Sequence, residues 1–121
     1  LRGKTRMQKA IALVLHYPQV AVRLPAPERL AELNQPGTDV LRRVLEIARG
    51  LPDVTTAKLL GHLQNDPDAA SLERLLAEEP LDGEHEALQV LDDTLNIMVA
   101  EARKARVAAA VRAHQPGPAG H

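Results

Sequence analysis

Met7, Ala10, Ile11, Val14 and Leu15 recur three and four residues apart, the spacing of one apolar helix face, and predict a first helix over residues 5–17. Pro18 disfavours helical geometry at Tyr17 and should end it there. Val20, Val22 and Leu24 offer apolar contacts around a short second helix, and Pro27 is well placed to open a third that ends near Asn34. QPGT at 35–38 reads as a turn, with Thr38 a natural N-cap for a helix over 39–49. Val40, Leu41, Val44, Leu45 and Ala48 line its buried side, and Gly50 stops it.

After the loop LPDVTT, Thr55 or Thr56 caps a short helix carrying Leu59, Leu60 and Leu63. NDP at 65–67 breaks the pattern again, and Pro67 or Asp68 opens a helix through Leu72, Leu75 and Leu76. The last helix is expected to be the longest, from Gly83 or Glu84 to about Arg112. Leu88, Leu91, Leu95, Met98, Ala102 and Ala105 form a heptad-like seam along it. Beyond Leu95 the seam turns to alanine, so the helix should run past the main core. No internal repeat is visible. The expectation is one domain over residues 1–112 and a disordered tail over 113–121, where two prolines and two glycines gather.

Composition narrows this to an all-α fold, a compact multi-helix bundle with a long C-terminal helix. The 121-residue chain is 45% hydrophobic, yet Tyr17 is its one aromatic residue, so the core is built of Leu, Val, Ile and Ala. The absence of cysteine excludes a disulfide framework, a thiol nucleophile and a thiolate zinc site. No apolar run approaches the roughly 18–20 residues of a membrane span. Beginning on leucine and ending in PGPAGH, the chain reads as a domain cut from a longer protein.

Net charge is −1, but the charges are unevenly placed. Arg2, Lys4, Arg6 and Lys9 make the beginning basic. Seven acidic residues and no Lys or Arg lie between Glu78 and Asp93, and Arg103, Lys104, Arg106 and Arg112 make the end basic again. The five histidines lack metal-ligand spacing such as HExxH: His85 stands among acids, and His62 sits one turn from Lys58 on a helix surface. Glu78-Glu79 and Asp92-Asp93 are adjacent residues that point about 100° apart on a helix, so neither pair converges for acid–base or two-metal chemistry. No GxSxG, P-loop or GxGxxG occurs. The stretch is not expected to be catalytic.

The basic start is harder to place. Cations at a helix N-terminus oppose the macrodipole, which leaves two readings: a solvated helix start, or an anion site of backbone amides, lysine and arginine suited to carboxylate or phosphate. Single-stranded nucleic acid is less favoured, because stacking aromatics are missing.

Taken in order, four segments resemble one family. They are M-x-x-x-I-x-L-x-L-x-x-P-x-x-A from Met7 to Ala21, PGTDVLRRVLEIARGLPDVTTAKLLGHL from Pro36 to Leu63, ASLERL at 70–75, and LDDTLNIM at 91–98. Together they are similar to the C-terminal, helicase-binding domain of bacterial DNA primase (DnaG-type), at the family's spacing over nearly all of residues 5–106. The resemblance implies a bundle that docks on the replicative helicase and stimulates it, supporting RNA primer synthesis. It implies that the polymerase core and a zinc-binding domain lie upstream, so that zinc and magnesium belong to the parent primase and this stretch needs no cofactor. A cytoplasmic place at the replisome follows from the same resemblance.

The family also uses this domain to hold the acidic C-terminal tail of single-stranded DNA-binding protein. The matching positions here are Lys4, Thr5, Met7, Ile11 and Arg74, with cations beside exposed Met and Ile suiting a tail that ends in an apolar residue and a carboxylate. Members continue past the long helix into a terminal hairpin, the main grip on the helicase. HQPGPAGH stands in that place here, and tight helicase binding by this stretch alone is not expected. Two alternatives remain: a small nucleic-acid-binding helical module, and the N-terminal domain of a replicative helicase, which has a similar bundle.

Overall fold

A computed structural model describes residues 4–80 and 82–114. Of the tail expected to be disordered over 113–121, Ala113 and His114 are helical, and 115–121 lie outside the described residues.

The described residues form six α-helices, α1 (Arg6–His16), α2 (Gln19–Arg23), α3 (Thr38–Gly50), α4 (Thr56–Leu63), α5 (Ala69–Ala77) and α6 (Glu84–His114), with a 3-10 helix at Pro27–Glu32 between α2 and α3. They contain no strand. The hydrophobic core is one continuous cluster, and α1 runs through its middle, touching α2, α3, α4, α5 and α6.

The central position of α1 changes the reading of its pattern. Periodicity suggested one apolar face, but Ala12 and Leu13 are buried beside Ala10, Ile11, Val14 and Leu15. A helix enclosed on nearly every side is apolar nearly all round. Its start is closed by a capping box. The Gln8 amide donates to Thr5 Oγ1 at 3.1 Å, and the Thr5 amide donates to Gln8 Oε1 at 3.0 Å.

The helix stops at Tyr17, and His16 and Tyr17 then tie it to the connection between α5 and α6. His16 Nε2–H donates to the Glu78 carbonyl at 3.0 Å, and the Tyr17 hydroxyl donates to the Asp82 carbonyl at 3.0 Å. These two residues end the helix and secure a loop 62 and 65 positions away.

Thr38 does not cap α3. It is the first helical residue, buried, and its hydroxyl donates to the Gln35 carbonyl at 2.7 Å, while no side chain caps an amide of the first turn. The capping position belongs to Gly37, at φ 93°. The left-handed backbone there admits glycine readily, and a Cβ would stand 2.6 Å from Met7 Cγ. Thr55 caps α4 by accepting from the Lys58 amide at 3.1 Å.

Three arginines brace the connections. Arg43 bonds both oxygens of Asp66, at 3.0 and 2.8 Å, and reaches Asp68 at 2.8 Å, clamping the α4–α5 turn onto α3. Arg29 bonds the Pro25 and Ala26 carbonyls and reaches Asn96 and Asp92 on α6. The third brace, Arg49, donates to the Ala21 carbonyl at 2.8 Å and joins α3 to α2.

Along α6, Ala87, Leu91, Thr94, Leu95, Met98 and Val99 are buried. The predicted seam therefore holds at Leu91, Leu95 and Met98. Leu88 and Ala102 are only half-buried, and Ala105 is exposed. Every side chain from Arg103 to Ala113 is exposed. Two of them are anchored: Glu32 accepts from Arg103 at 2.7 and 2.6 Å and from Arg106 at 2.9 Å.

Candidate functional site

The beginning of α1 lies against α5, and between them is a cleft of about 580 Å³. From the α1 side come Lys4, Thr5, Gln8 and Ile11. Helix α5 supplies Ser71, Leu72, Arg74 and Leu75, with Glu78 just beyond its end. Val40 and Asp68 close one side. The floor is aliphatic and the rim carries two cations.

Four of the five residues expected at a peptide site, Lys4, Thr5, Ile11 and Arg74, thus face one space although up to 70 positions separate them. Met7 does not join them. It is 3% exposed and packs beneath Gly37. Ile11 is 4% exposed. The expectation of exposed Met and Ile is corrected: a helix surrounded by five others has no face left on which to display them. Ile11 is a floor under the cleft, and Met7 is core.

The two cations differ in circumstance. Lys4 Nζ lies 3.0 Å from Glu78 Oε1, and its side chain is 18% exposed. Arg74 is exposed and has no ion pair or hydrogen bond among the described residues. Among the described residues the other basic groups near the start of α1 are paired: Arg6 with Glu101 at 3.0 Å and Lys9 with Asp82 at 3.6 Å. These carboxylates ease the conflict with the helix dipole that the sequence posed, since Lys4, Arg6 and Lys9 each have an anion beside them. Asp82 Oδ2 is buried without a hydrogen-bond partner, because 3.6 Å is an ion pair but not a hydrogen bond.

The acidic pairs are divided in the same way. Glu78 holds Lys4, and Asp92 holds Arg29 at 2.8 Å, while Asp93 accepts from Gln89 at 2.8 Å. Glu78, Glu79 and Asp82 line one cleft beside Lys4 and Lys9, where Glu78 and Asp82 pair with those lysines. Among the described residues no three His, Asp or Glu side chains converge as metal ligands, and no helix is long and apolar enough to cross a membrane.

Two carboxyls titrate low. Asp66 is held below the usual carboxylate range by the Arg43 hydrogen bonds and then by the Asp68 amide, which donates to it at 2.8 Å. Glu32 is lowered chiefly by its hydrogen bonds from Arg103. The Glu32 clamp and the Lys4–Glu78 pair had no sequence signal, since each joins residues more than 70 positions apart.

Residues 7–114 match the family described as DNA primase DnaG, DnaB-binding. The chain belongs to that family. The DNA primase of Escherichia coli K12 is 31% identical over 114 residues, covering 92% of this chain and 20% of that protein, and the DNA primase of Shigella flexneri matches to the same extent. The chain thus spans about a fifth of the length of the curated relatives it matches. The solved C-terminal domain of DnaG primase from Vibrio cholerae is similar at a TM-score of 0.70 with 30% sequence identity, over 86% of this chain and 79% of that one. Membership of the primase family decides against the helicase N-terminal domain, the alternative of like architecture.

Proposed function

We propose that this bundle is the helicase-docking part of a bacterial DNA primase and that the cleft between α1 and α5 holds the acidic C-terminal tail of single-stranded DNA-binding protein. Docking on the replicative helicase rests on family membership. In the intact protein, the zinc- and magnesium-dependent primer synthesis would belong to other parts of the chain. Stimulation of the helicase and action at the nucleoid are further parts of this reading.

The observation that carries the cleft assignment is the pairing of cations with an aliphatic floor. Lys4 and Arg74 flank Ile11, Leu72 and Leu75, and Arg74 is uncommitted. An extended peptide ending in an apolar side chain and a free carboxylate needs both elements, because its carboxylate is best met by charge-assisted hydrogen bonds and its side chain by apolar surface. Helix α1 is well capped and buried, so the site is presented on a rigid element.

The nucleic-acid alternative has less support. Arg103 and Arg106 share Glu32, and Arg6 and Lys9 are held by carboxylates, so part of the positive charge at each end is offset. No aromatic platform accompanies them.

Titration calorimetry with the tail peptide, the helicase and single-stranded DNA tests the proposal. The expected result is binding of the peptide, measurable but not tight binding of the helicase, and weak DNA binding. Arg74→Ala is expected to weaken the peptide roughly tenfold while stability changes by less than about 0.5 kcal/mol. Strong, salt-sensitive DNA binding with no response to the peptide refutes the assignment.

A further inference from the structure

Glu78 stands where the proposed ligand's carboxylate would go. Its side chain is 53% exposed while that of Lys4 is 18% exposed, so in this pair the carboxylate is the outer group and the ammonium the covered one. Glu78 also follows Arg74 by one helical turn, which brings its negative charge to the same rim as the second cation. We infer that Glu78 is a built-in competitor of the acidic peptide: it neutralises Lys4 in the free protein and must swing off before a ligand can engage Lys4 and Arg74 together. This rests on the cleft being the peptide site.

The backbone makes such an exchange inexpensive. Glu78 is already extended, at φ −80° and ψ 141°, and its carbonyl accepts from His16 Nε2 at 3.0 Å. That bond fixes the main chain independently of the ion pair. The side chain can therefore leave Lys4 by rotation about its own bonds, with the connection to α6 undisturbed. Glu79 supplies an internal comparison. It has the same charge and is also exposed, but it lines only the neighbouring cleft, which Lys4 and Glu78 share, and its side chain makes no ion pair or hydrogen bond among the described residues.

Calorimetry with an acidic peptide ending in an apolar residue and a free carboxylate decides the matter on three proteins: the unaltered chain, Glu78→Gln and Glu79→Gln. Both variants change net charge equally. Release of one partly exposed ion pair is expected to tighten binding about 3- to 5-fold in Glu78→Gln. Glu79→Gln should stay within about 2-fold, and the gain in Glu78→Gln should shrink at high salt. Equal affinities of the two variants would overturn the inference, as would weaker binding by Glu78→Gln, which would make Glu78 a positioning group for Lys4.

Melting curves separate folding from binding, and Glu78→Gln should melt with the unaltered chain because the His16 contact is to the backbone. Failure of Arg74→Ala to weaken the peptide would instead remove the site itself. If neither the unaltered chain nor Glu78→Gln binds peptide, site and competitor fall together; binding by Glu78→Gln alone supports both.

Discussion

Gly37→Ala is expected to be among the most damaging single-methyl additions in this chain, for two separable reasons. The backbone at Gly37 has φ 93°, and an L-residue held in the left-handed region costs about 1–2 kcal/mol. The new Cβ would also stand 2.6 Å from Met7 Cγ, and Met7 is 3% exposed with little room to retreat. Forcing a methyl into a packed site costs about 1–3 kcal/mol, toward the lower end here because methionine adapts. The sum, about 2–4 kcal/mol, is a large part of the 5–15 kcal/mol typical of a domain. For a chain of this size each kcal/mol is worth about 3–6 °C in melting temperature, so a fall of roughly 6–24 °C is expected.

A double-mutant cycle with Met7→Ala, followed by urea denaturation, separates the two terms. Met7→Ala alone should cost about 2–4 kcal/mol as an emptied core site. In that background the clash is gone, and Gly37→Ala should cost only its backbone share, about 1–2 kcal/mol. The interaction energy is therefore expected to be about 1 kcal/mol or more. An equal cost in both backgrounds, or a single-variant loss below about 0.5 kcal/mol, refutes the close approach of Gly37 to Met7.

Two further outcomes follow from the same contacts. Thr5→Ala removes the capping box and should cost about 1 kcal/mol in urea denaturation, while Thr5→Asp retains a capping oxygen, remains near native stability, and weakens acidic-peptide binding in calorimetry by placing a carboxylate in the cleft. Because the pKa of Asp66 is lower folded than unfolded, its contribution to stability is complete above the ordinary value of 3.8 and is lost as pH falls through the lowered one. Acid titration of stability should thus be shallower for Asp66→Asn than for the unaltered chain below about pH 4, and identical slopes there would contradict the Arg43 clamp.

The local signals in the sequence were sufficient for the helices and for little of what joins them. Pro18, Thr55 and the leucine spacings act within a turn or two of chain, and the structure places helix ends where they predict. Thr38 misled because α3 begins one residue earlier than expected, with Gly37 at the capping position and Thr38 already helical, a register that the sequence does not rank. The helix pattern puts Met7 and Ile11 on the apolar face, in agreement with their burial, whereas the expectation of exposed Met and Ile came with the family resemblance.

The gathering of Lys4, Thr5, Ile11 and Arg74 became visible only through family resemblance, since nothing in the spacing of residues 4 and 74 brings them together. Their paired carboxylates were legible from neither source. Lys4 with Glu78, and Glu32 with Arg103 and Arg106, are products of packing between helices distant in the chain.

The exposed end of α6 divides that helix into two mechanical regimes. Up to Val99 it is held by burial, so its rigidity is that of the core. Past the Glu32 clamp, residues 107–114 extend a further distance of about 12 Å at the α-helical rise. This portion is rich in alanine, the residue with the highest helical propensity, and its stiffness is consequently a property of its own backbone. Its bending persistence can then be tuned by substitution with little effect on the melting of the bundle, and Glu32 becomes the fulcrum about which any load at the far end would act.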